Sequence, residues 1–537
     1  MKTVFHTKWR FFFALVVLFA LYASFFIYRT SFVIEGERYF SLFDDAMVSM
    51  RYAKNLEQGH GLVMNPGERV EGYTNLLWVL YMAGVHLLPV AQSKISLIIQ
   101  ITGLLLLLIN LFFVRKTALL ISENNYLVAN AAVFLTAFYL PLINWSLQGM
   151  EVSLLTLVMS IVVCKAIHLI RSKTFSWGLY TLLGAGTLVR IDMAVPFIGV
   201  WFFLSLISPE NRRKNLLAGG LVFLVFIAGQ TVFRFLYYGD VLPNTYYLKM
   251  TGYPILLRIY RGLDVWWRFV WNLNPVLIML PVLALLFSYD HTKGFIALSV
   301  GLQMLYSIYV GGDAWEEWGG SNRYIAFVMS SFFILFAHSF MTASNFIVNA
   351  IQNLKTNRLK LGSVLGKYSF PFLVIVSFLQ FNNNSSSLNM SGFPLLARPP
   401  HVENNKGMVE RALLVRQITT PEAKIAVTWS GAIPYFSERY TIDILGKTDR
   451  IIAHEDMRKI SGIEKFTYFL PGHLKYNYEH SIGELKPDVI LQFWGELAEA
   501  EKVMTDRYTR LVVGDKFFYL LNGSENILWS KFMKSAP

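Results

Sequence analysis

Residues 11–28 read FFFALVVLFALYASFFIY, and residues 43–46, a short polar stretch later, read FDDA. The first run carries no charge and is long enough to enter a bilayer as a helix. It follows Lys2, Lys8 and Arg10 and precedes no small-x-small cleavage site, so it reads as a retained signal anchor. Asp44-Asp45 then lies about 15 residues beyond a span whose basic flank faces the cytoplasm, which places the acid pair on the opposite side. Paired carboxylates at a membrane surface can serve a cation, a phosphate-linked substrate or an acceptor hydroxyl, whereas a simple anchor needs neither.

The rest of the chain agrees with a polytopic membrane protein: of 537 residues, 54% are hydrophobic, 15% aromatic and only 15% charged. A net charge of +13 invites a nucleic-acid reading, yet the basic residues gather in short clusters between apolar spans instead of on one soluble face. Topology accounts for them and nucleic acid does not. The single cysteine, Cys164, sits in an apolar span and excludes a disulfide framework or a cysteine metal site.

About 11 candidate spans of roughly 17 to 23 residues end near Leu379. With the amino terminus inside, Arg115-Lys116, Arg171 with Lys173, Arg212-Arg213-Lys214, Lys293, and Lys355 with Arg358 and Lys360 all fall in the cytoplasm. That holds only if Leu76 to Val90 does not cross. Its about 15 apolar residues, interrupted by Gly84 and His86, suit an interfacial or re-entrant helix. The outer face then receives Arg29–Val90, Asn144–Glu151, Arg190–Asp192, Tyr237 to about Asn272, Gly311–Arg323 and everything after Leu379, and nearly every unusual polar cluster lies there.

The domain reading is a membrane module over 1–381 with a large first outer loop at 29–90, a linker at 382–392 and an extracytoplasmic globular domain at 393–537. The linker rests on Asn382-Asn383-Asn384-Ser385-Ser386-Ser387, and strand-like runs follow at Ile425-Ala426-Val427, Val489-Ile490-Leu491 and Phe517-Phe518-Tyr519. About 150 residues suffice for an independent core of α/β or α+β type.

Within the first outer loop, a helix from Asp44 to Leu56 brings Asp44, Val48, Arg51 and Asn55 onto one face, so an acid and a base project together or form an ordinary ion pair. Glu151, at the outer mouth of a later span, either joins the acid pair at a divalent ion such as magnesium or manganese, or faces water. Arg190, beside Asp192 between two apolar segments, is the best-placed guanidinium for a phosphate, with Lys249 and Arg323 as further cations. Asp313 binds an acceptor hydroxyl or pairs with Arg323, and Arg51 is equally well structural. Tyr73, Trp78, Tyr237, Tyr238, Tyr246, Tyr247, Trp315 and Trp318 either stack on sugar rings or belong to the interfacial aromatic belt. His473 reads as structural.

The order of motifs resembles the GT-C glycosyltransferases, and within them the family of the mycobacterial terminal arabinofuranosyltransferase and its bacterial relatives. The matching pieces are Asp44-Asp45, Arg51-Tyr52-Ala53, Asn55-Leu56, Gly59-x-Gly61, Asn65-Pro66-Gly67-Glu68 and Val70-Glu71-Gly72-Tyr73-Thr74-Asn75. They continue through Gly149-Met150-Glu151, Arg190-x-Asp192, Tyr238-Gly239-Asp240, Pro243-Asn244-Thr245-Tyr246-Tyr247 with Lys249, and Gly311-Gly312-Asp313. The soluble part adds Gly431-Ala432-Ile433-Pro434-Tyr435, Asp443-x-Leu445-Gly446-x-Thr448-Asp449 and Pro471-Gly472-His473. Met150 stands where leucine is usual, Ile191 where proline is common, and Trp315-Glu316-Glu317-Trp318 is an insertion.

The resemblance implies a polyprenyl-phosphate-linked sugar as donor and transfer with inversion to an envelope glycan, glycolipid or surface protein at the outer face of the cell membrane. It makes Asp44 or Asp45 the candidate general base, marks Glu71, Tyr73, Asn75, Asn244 and Tyr246 as substrate-binding or structural, and points to a pentofuranose such as arabinofuranose. Two rival readings are a glycolipid transporter or flippase, and a noncatalytic assembly subunit. Polar motifs concentrated on one side, without repeat symmetry, weigh against transport.

Overall fold

The computed structural model describes residues 2–287, 289–318, 321–353, 359–383, 388–459, 469–513 and 516–533. The signal-anchor run lies in α1 (Lys2–Thr30), which leads through a two-stranded hairpin, β1 (Phe32–Ile34) and β2 (Glu37–Tyr39), into α2 (Asp44–Glu57). Helix α2 opens with its two acids, whose negative charge suits the unpaired N–H groups and positive end of a helix. Helix α3 (Leu76–His86) has 11 residues, a rise of about 16 Å against a hydrocarbon core of about 30 Å, and so falls short of a full span by itself.

A bundle follows: α4 (Gln92–Ile121), α5 (Tyr126–Ala137), α6 (Leu140–Leu147), α7 (Val152–Ser172), α8 (Trp177–Val189), α9 (Ala194–Ile207), α10 (Arg212–Tyr238), α11 (Asn244–Met250), α12 (Ile255–Asn272), α13 (Pro275–Phe287), α14 (His291–Val310), α15 (Arg323–Ala326), α16 (Met329–Asn353) and α17 (Leu359–Phe381). Among the described residues, five helices are long and apolar enough to span, or up to seven if the bent pairs α5–α6 (51°) and α12–α13 (93°) each count as one. The difference from the expected about 11 lies with shorter apolar helices such as α8 and α9.

Basic residues from separate loops meet at one end of the bundle. There the Arg115 guanidinium sits 3.9 Å from the Trp9 ring, Arg171 Nη1 donates to the Leu120 carbonyl at 2.7 Å, and Asn211 Nδ2 to the Lys173 carbonyl at 2.8 Å. Of the last basic cluster, residues 355–358 lie outside the described residues. The other end carries α2, α3, α11, α15 and the soluble domain.

That domain begins with α18 (Val402–Ile418) and builds a five-stranded sheet in the order β4-β3-β5-β7-β6. β3 (Lys424–Val427) pairs in parallel with β4 (Tyr440–Asp443) and β5 (Val489–Ile490), while β7 (Lys516–Leu521) runs antiparallel to both β5 and β6 (Tyr508–Val513). The three strand-like runs thus fall in β3, β5 and β7. α18 and the short α19 (Ala432–Ser437) share one continuous apolar core with the membrane helices. The polar tract before the domain is not a free tether at its start: Asn382 is buried, its Oδ1 accepts from the Leu140 N–H at 2.7 Å, and its Nδ2 donates to the Phe138 and Phe378 carbonyls at 3.0 Å. Residues 384–387 lie outside the described residues.

Candidate active site

A cavity of about 390 Å³ opens where the start of α2, the α8–α9 junction, α11, the end of α14 and the edge of the soluble sheet meet. Asp44, Asp45, Tyr73, Asn75, Glu151, Arg190, Asp192, Tyr246, Lys249, Asp313 and Arg323 all line it. Segments spread over 280 residues therefore converge on one chamber, the convergence that the one-sided topology demands.

The adjacent acids sit in opposite environments. Asp45 is clamped between Lys447 Nζ and Arg323 Nη1, both at 2.6 Å, and although burial opposes ionisation, those cations hold its carboxyl well below the usual carboxylate range. Asp44 is 5% exposed, has no ion pair among the described residues, and its Oδ1 accepts the Ala432 N–H at 3.1 Å. Burial, helped by the neighbouring Asp45 charge, pushes the Asp44 carboxyl up to about 7. Asp44 can therefore take up a proton near neutrality, and Asp45 serves as a fixed negative charge.

Gly431 makes the Asp44 environment possible. A Cβ there would lie 2.1 Å from the Asp44 carbonyl oxygen, so only glycine lets the soluble segment close over the start of α2.

Arg323 Nε forms an ion pair with Asp313 Oδ2 at 3.1 Å, the same oxygen accepts the Arg323 backbone N–H at 3.2 Å, and Asp313 is delivered by Gly311-Gly312, both in the left-handed region (φ +90° and +78°) that glycine adopts freely. Across the cavity Arg190 binds Asp192 through Nε and Nη2 at 2.7 and 2.9 Å and Glu151 through Nη1 at 3.2 Å. Glu151 also accepts from Asn75 Nδ2 at 3.1 Å, and Asn75 Oδ1 accepts from Ser49 Oγ at 3.0 Å. Lys249 differs: among the described residues it has no carboxylate within ion-pair distance. Burial first, then the Arg323 and Lys447 charges, bring its ammonium down to about 8 despite Asp45 and Asp313. A cation held this way gains from an incoming anion.

Some expected residues support the chamber from outside. Asp44 and Arg51 do lie on one helix, but seven residues are about 10 Å of rise, and Arg51 turns to the Met64 carbonyl (Nε, 3.3 Å). Glu71 pairs with Arg234 at 2.8 Å, both buried. Asn244 Nδ2 donates to the carbonyls of Gly446 and Lys447 at 3.0 Å and of Asp449 at 3.2 Å, while Asp443 Oδ2 accepts from the Thr448 N–H at 2.9 Å. Lys447 thus rides on a loop pinned from both the membrane module and its own domain.

Lys447, Trp429 and Thr428 line the cavity but carry no signal in the sequence. Lys447 occupies an unspecified position inside the Asp443–Asp449 motif, and only the fold brings it 402 positions back to Asp45. His473, expected to be structural, also lines the cavity, and burial lowers its imidazole to about 4, so it is neutral. The Trp318 side chain lies outside the described residues.

These features define a polytopic membrane protein with the GT-C fold. The crystal structure of ArnT from Cupriavidus metallidurans bound to undecaprenyl phosphate superposes with a TM-score of 0.54 at 11% identity, covering 95% of this chain and 97% of that one. The Archaeoglobus fulgidus oligosaccharyltransferase in complex with Zn and sulfate gives 0.53 at 11% identity, covering 94% and 73%. In sequence, the terminal beta-(1->2)-arabinofuranosyltransferase of Mycobacterium tuberculosis is 28% identical over 218 residues, 38% of this chain and 34% of that protein, so the match spans about a third of this curated relative. A family model described as Domain of unknown function (DUF8728) matches residues 401–522.

The zinc in the oligosaccharyltransferase invites the same test here. Among the described residues no three His, Cys, Asp or Glu side chains gather as a metal-ligand group. Asp44, Asp45 and Glu151 share the cavity, but Asp45 is held between Arg323 and Lys447 and Glu151 is engaged by Arg190 and Asn75, so the three do not converge on one ion.

Proposed function

We propose that this chain is a membrane glycosyltransferase that moves a sugar from a polyprenyl-phosphate donor to a hydroxyl of an envelope glycan, glycolipid or surface protein, at the outer face of the cell membrane. The observation that carries the reading is a single chamber holding a desolvated carboxyl, Asp44, and a lysine, Lys249, neither of which has an ion-pair partner among the described residues.

The reaction needs two things at once. The acceptor oxygen must lose its proton as it bonds to the anomeric carbon, and the bond from that carbon to the donor phosphate must break with the electron pair going to the phosphate oxygen. Asp44, as carboxylate, receives the proton. Lys249, with Arg323 and Lys447, stabilises the extra negative charge on the departing polyprenyl phosphate before solvent can. Arg190 meets the phosphate from the other wall with a guanidinium already aligned by Asp192 and Glu151. Asp45, kept ionised, holds Arg323 and Lys447 in place and is too weak a base for the proton. Attack in line with the departing phosphate inverts the anomeric centre.

The polyprenyl chain fits the apolar flank that membrane helices contribute, at Val195, Tyr306 and Val310. A pentofuranose such as arabinofuranose is the sugar favoured by the likeness to the mycobacterial enzyme. The basic clusters at the far end of the bundle support an outward-facing chamber.

The test is sugar transfer by the purified chain from a panel of radiolabelled polyprenyl-phosphate sugars to envelope extracts, for wild type, D44N and D45N. One donor should be consumed by wild type, with transfer abolished in D44N while donor binding persists. Binding without transfer to any acceptor would instead favour a glycolipid carrier.

A further inference from the structure

Beyond Asp45 and its cations, the chamber has a second wall made by the soluble domain. The chain leaves β3 through Thr428-Trp429-Ser430 and closes on Asp44 at Gly431 and Ala432. Gln492 Oε1 accepts from the Thr428 and Trp429 N–H groups at 3.0 and 2.9 Å, which fixes the segment. The Trp429 ring lies 5.4 Å from Trp315, 6.0 Å from Trp494 and 6.3 Å from His473, and Trp494 Nε1 donates to the His473 carbonyl at 2.8 Å. Thr428 is 4% exposed, lines the cavity, and its hydroxyl oxygen has no hydrogen-bond partner among the described residues.

This wall differs from the rest of the chamber. Among the described residues, Thr428, Trp429, Trp494 and the neutral His473 bring no cation to it, and Lys249 reaches it only where its stem packs against Gly472, so it suits a phosphate less than the Arg323–Lys447 side does. It is also not the apolar flank of the membrane helices. Rigid aromatic rings beside an unsatisfied hydroxyl match a ligand with both C–H faces and hydroxyl groups, which is a sugar ring. Burying the Thr428 hydroxyl without a partner costs free energy that a ligand hydroxyl would recover.

We propose that Trp429 and Thr428 form the acceptor subsite, where a neutral sugar ring of the acceptor glycan packs on Trp429 and hydrogen-bonds Thr428 Oγ1. The same segment runs directly onto Asp44, so a sugar held there presents a hydroxyl to that carboxylate while the donor phosphate occupies the cationic side. This assignment rests on the transferase reading and adds the acceptor class and the segment that selects it: the Thr428–Trp429 segment of the sheet domain reads the acceptor, while the membrane module, joined by Lys447, binds the donor.

The experiment uses the full chain in lipid nanodiscs, with W429A, W429F and T428V beside wild type. Acceptor KM is measured at saturating donor, together with donor Kd. The acceptor KM should rise about tenfold in W429A, by much less in W429F and about threefold in T428V, with donor Kd unchanged in all three. An unchanged acceptor KM in a folded W429A, or a shift in donor Kd instead, overturns the assignment, the latter by giving the wall to the isoprenoid chain. Binding of methyl pentofuranoside and methyl hexopyranoside probes, followed by saturation-transfer NMR, supplies an independent reading. Loss of binding in W429A supports the subsite even if no donor is consumed, a result that would sink the transferase reading alone, whereas equal binding in wild type and W429A overturns the subsite.

Discussion

Replacing Lys249 with arginine should remove the alkaline limb of the pH–rate profile and leave the acidic limb in place. Asp44 must be ionised to accept a proton and titrates at about 7; Lys249 must be protonated to meet the phosphate and titrates at about 8. The competent fraction is then about 0.6 at about pH 7.5 and about 0.1 at about pH 6 and at about pH 9. The sign follows from the charges: lowering the pH neutralises the base, and raising it neutralises the phosphate ligand. Arginine stays charged throughout this range, so the K249R profile should rise to a plateau and stay there. In numbers, wild-type kcat/KM falls about sixfold between about pH 7.5 and about pH 9, and K249R does not fall at all, each compared with its own value at about pH 7.5. The assay is initial-rate sugar transfer at low donor, where kcat/KM reports the free enzyme's groups. An alkaline limb of the same position and depth in K249R would refute the assignment of that limb to Lys249.

Other perturbations follow from particular contacts. G431A drives a Cβ to within 2.1 Å of the Asp44 carbonyl oxygen, so activity should be lost along with about 1–3 kcal/mol of stability, read by thermal unfolding; a normal melt with full activity would contradict the closure described here. K447M should raise the Asp45 pKa and cut transfer at least tenfold, with K447R recovering a substantial part; indistinguishable methionine and arginine variants would show that the charge is not what counts. R190K keeps a charge but loses the two-pronged grip on Asp192, so donor KM should rise about tenfold with acceptor KM unchanged. N244A removes the anchor of the Lys447 loop and should lower kcat more than it raises donor KM, a split that steady-state kinetics reads directly.

The fold was legible where composition and topology decide it. Uncharged runs marked the membrane helices, basic residues of separate loops meet at one end of the bundle, and the apolar run from Leu76 stops at His86 as the short α3. Residues near the ends of spans, such as Glu151, Arg190, Asp313 and Arg323, could be assigned to one chamber because a bundle brings alternate loops to the same end. What local sequence cannot supply is pairing across the chain. Nothing around Asp44 and Asp45 distinguishes them; about 400 positions away, the segment at Gly431 and Ala432 closes over Asp44, whose burial raises its carboxyl, while Lys447 pairs with Asp45 and keeps it ionised. Arg51 illustrates the opposite failure, since helical periodicity puts it on the Asp44 face but not within reach of the same ligand. Trp429 and Thr428 were invisible because an aromatic and a hydroxyl at the end of a strand look like ordinary core until the membrane module closes over them.

The most direct test of the central claim is a stoichiometry. With purified chain in nanodiscs, one polyprenyl-phosphate sugar and one acceptor, the release of polyprenyl phosphate and the appearance of glycosylated acceptor are measured together for wild type and D44N. Equal amounts of both products with wild type, and neither with D44N at undiminished donor binding, are the predicted result. Donor bound by both proteins and consumed by neither, or consumed equally by both, would contradict the account.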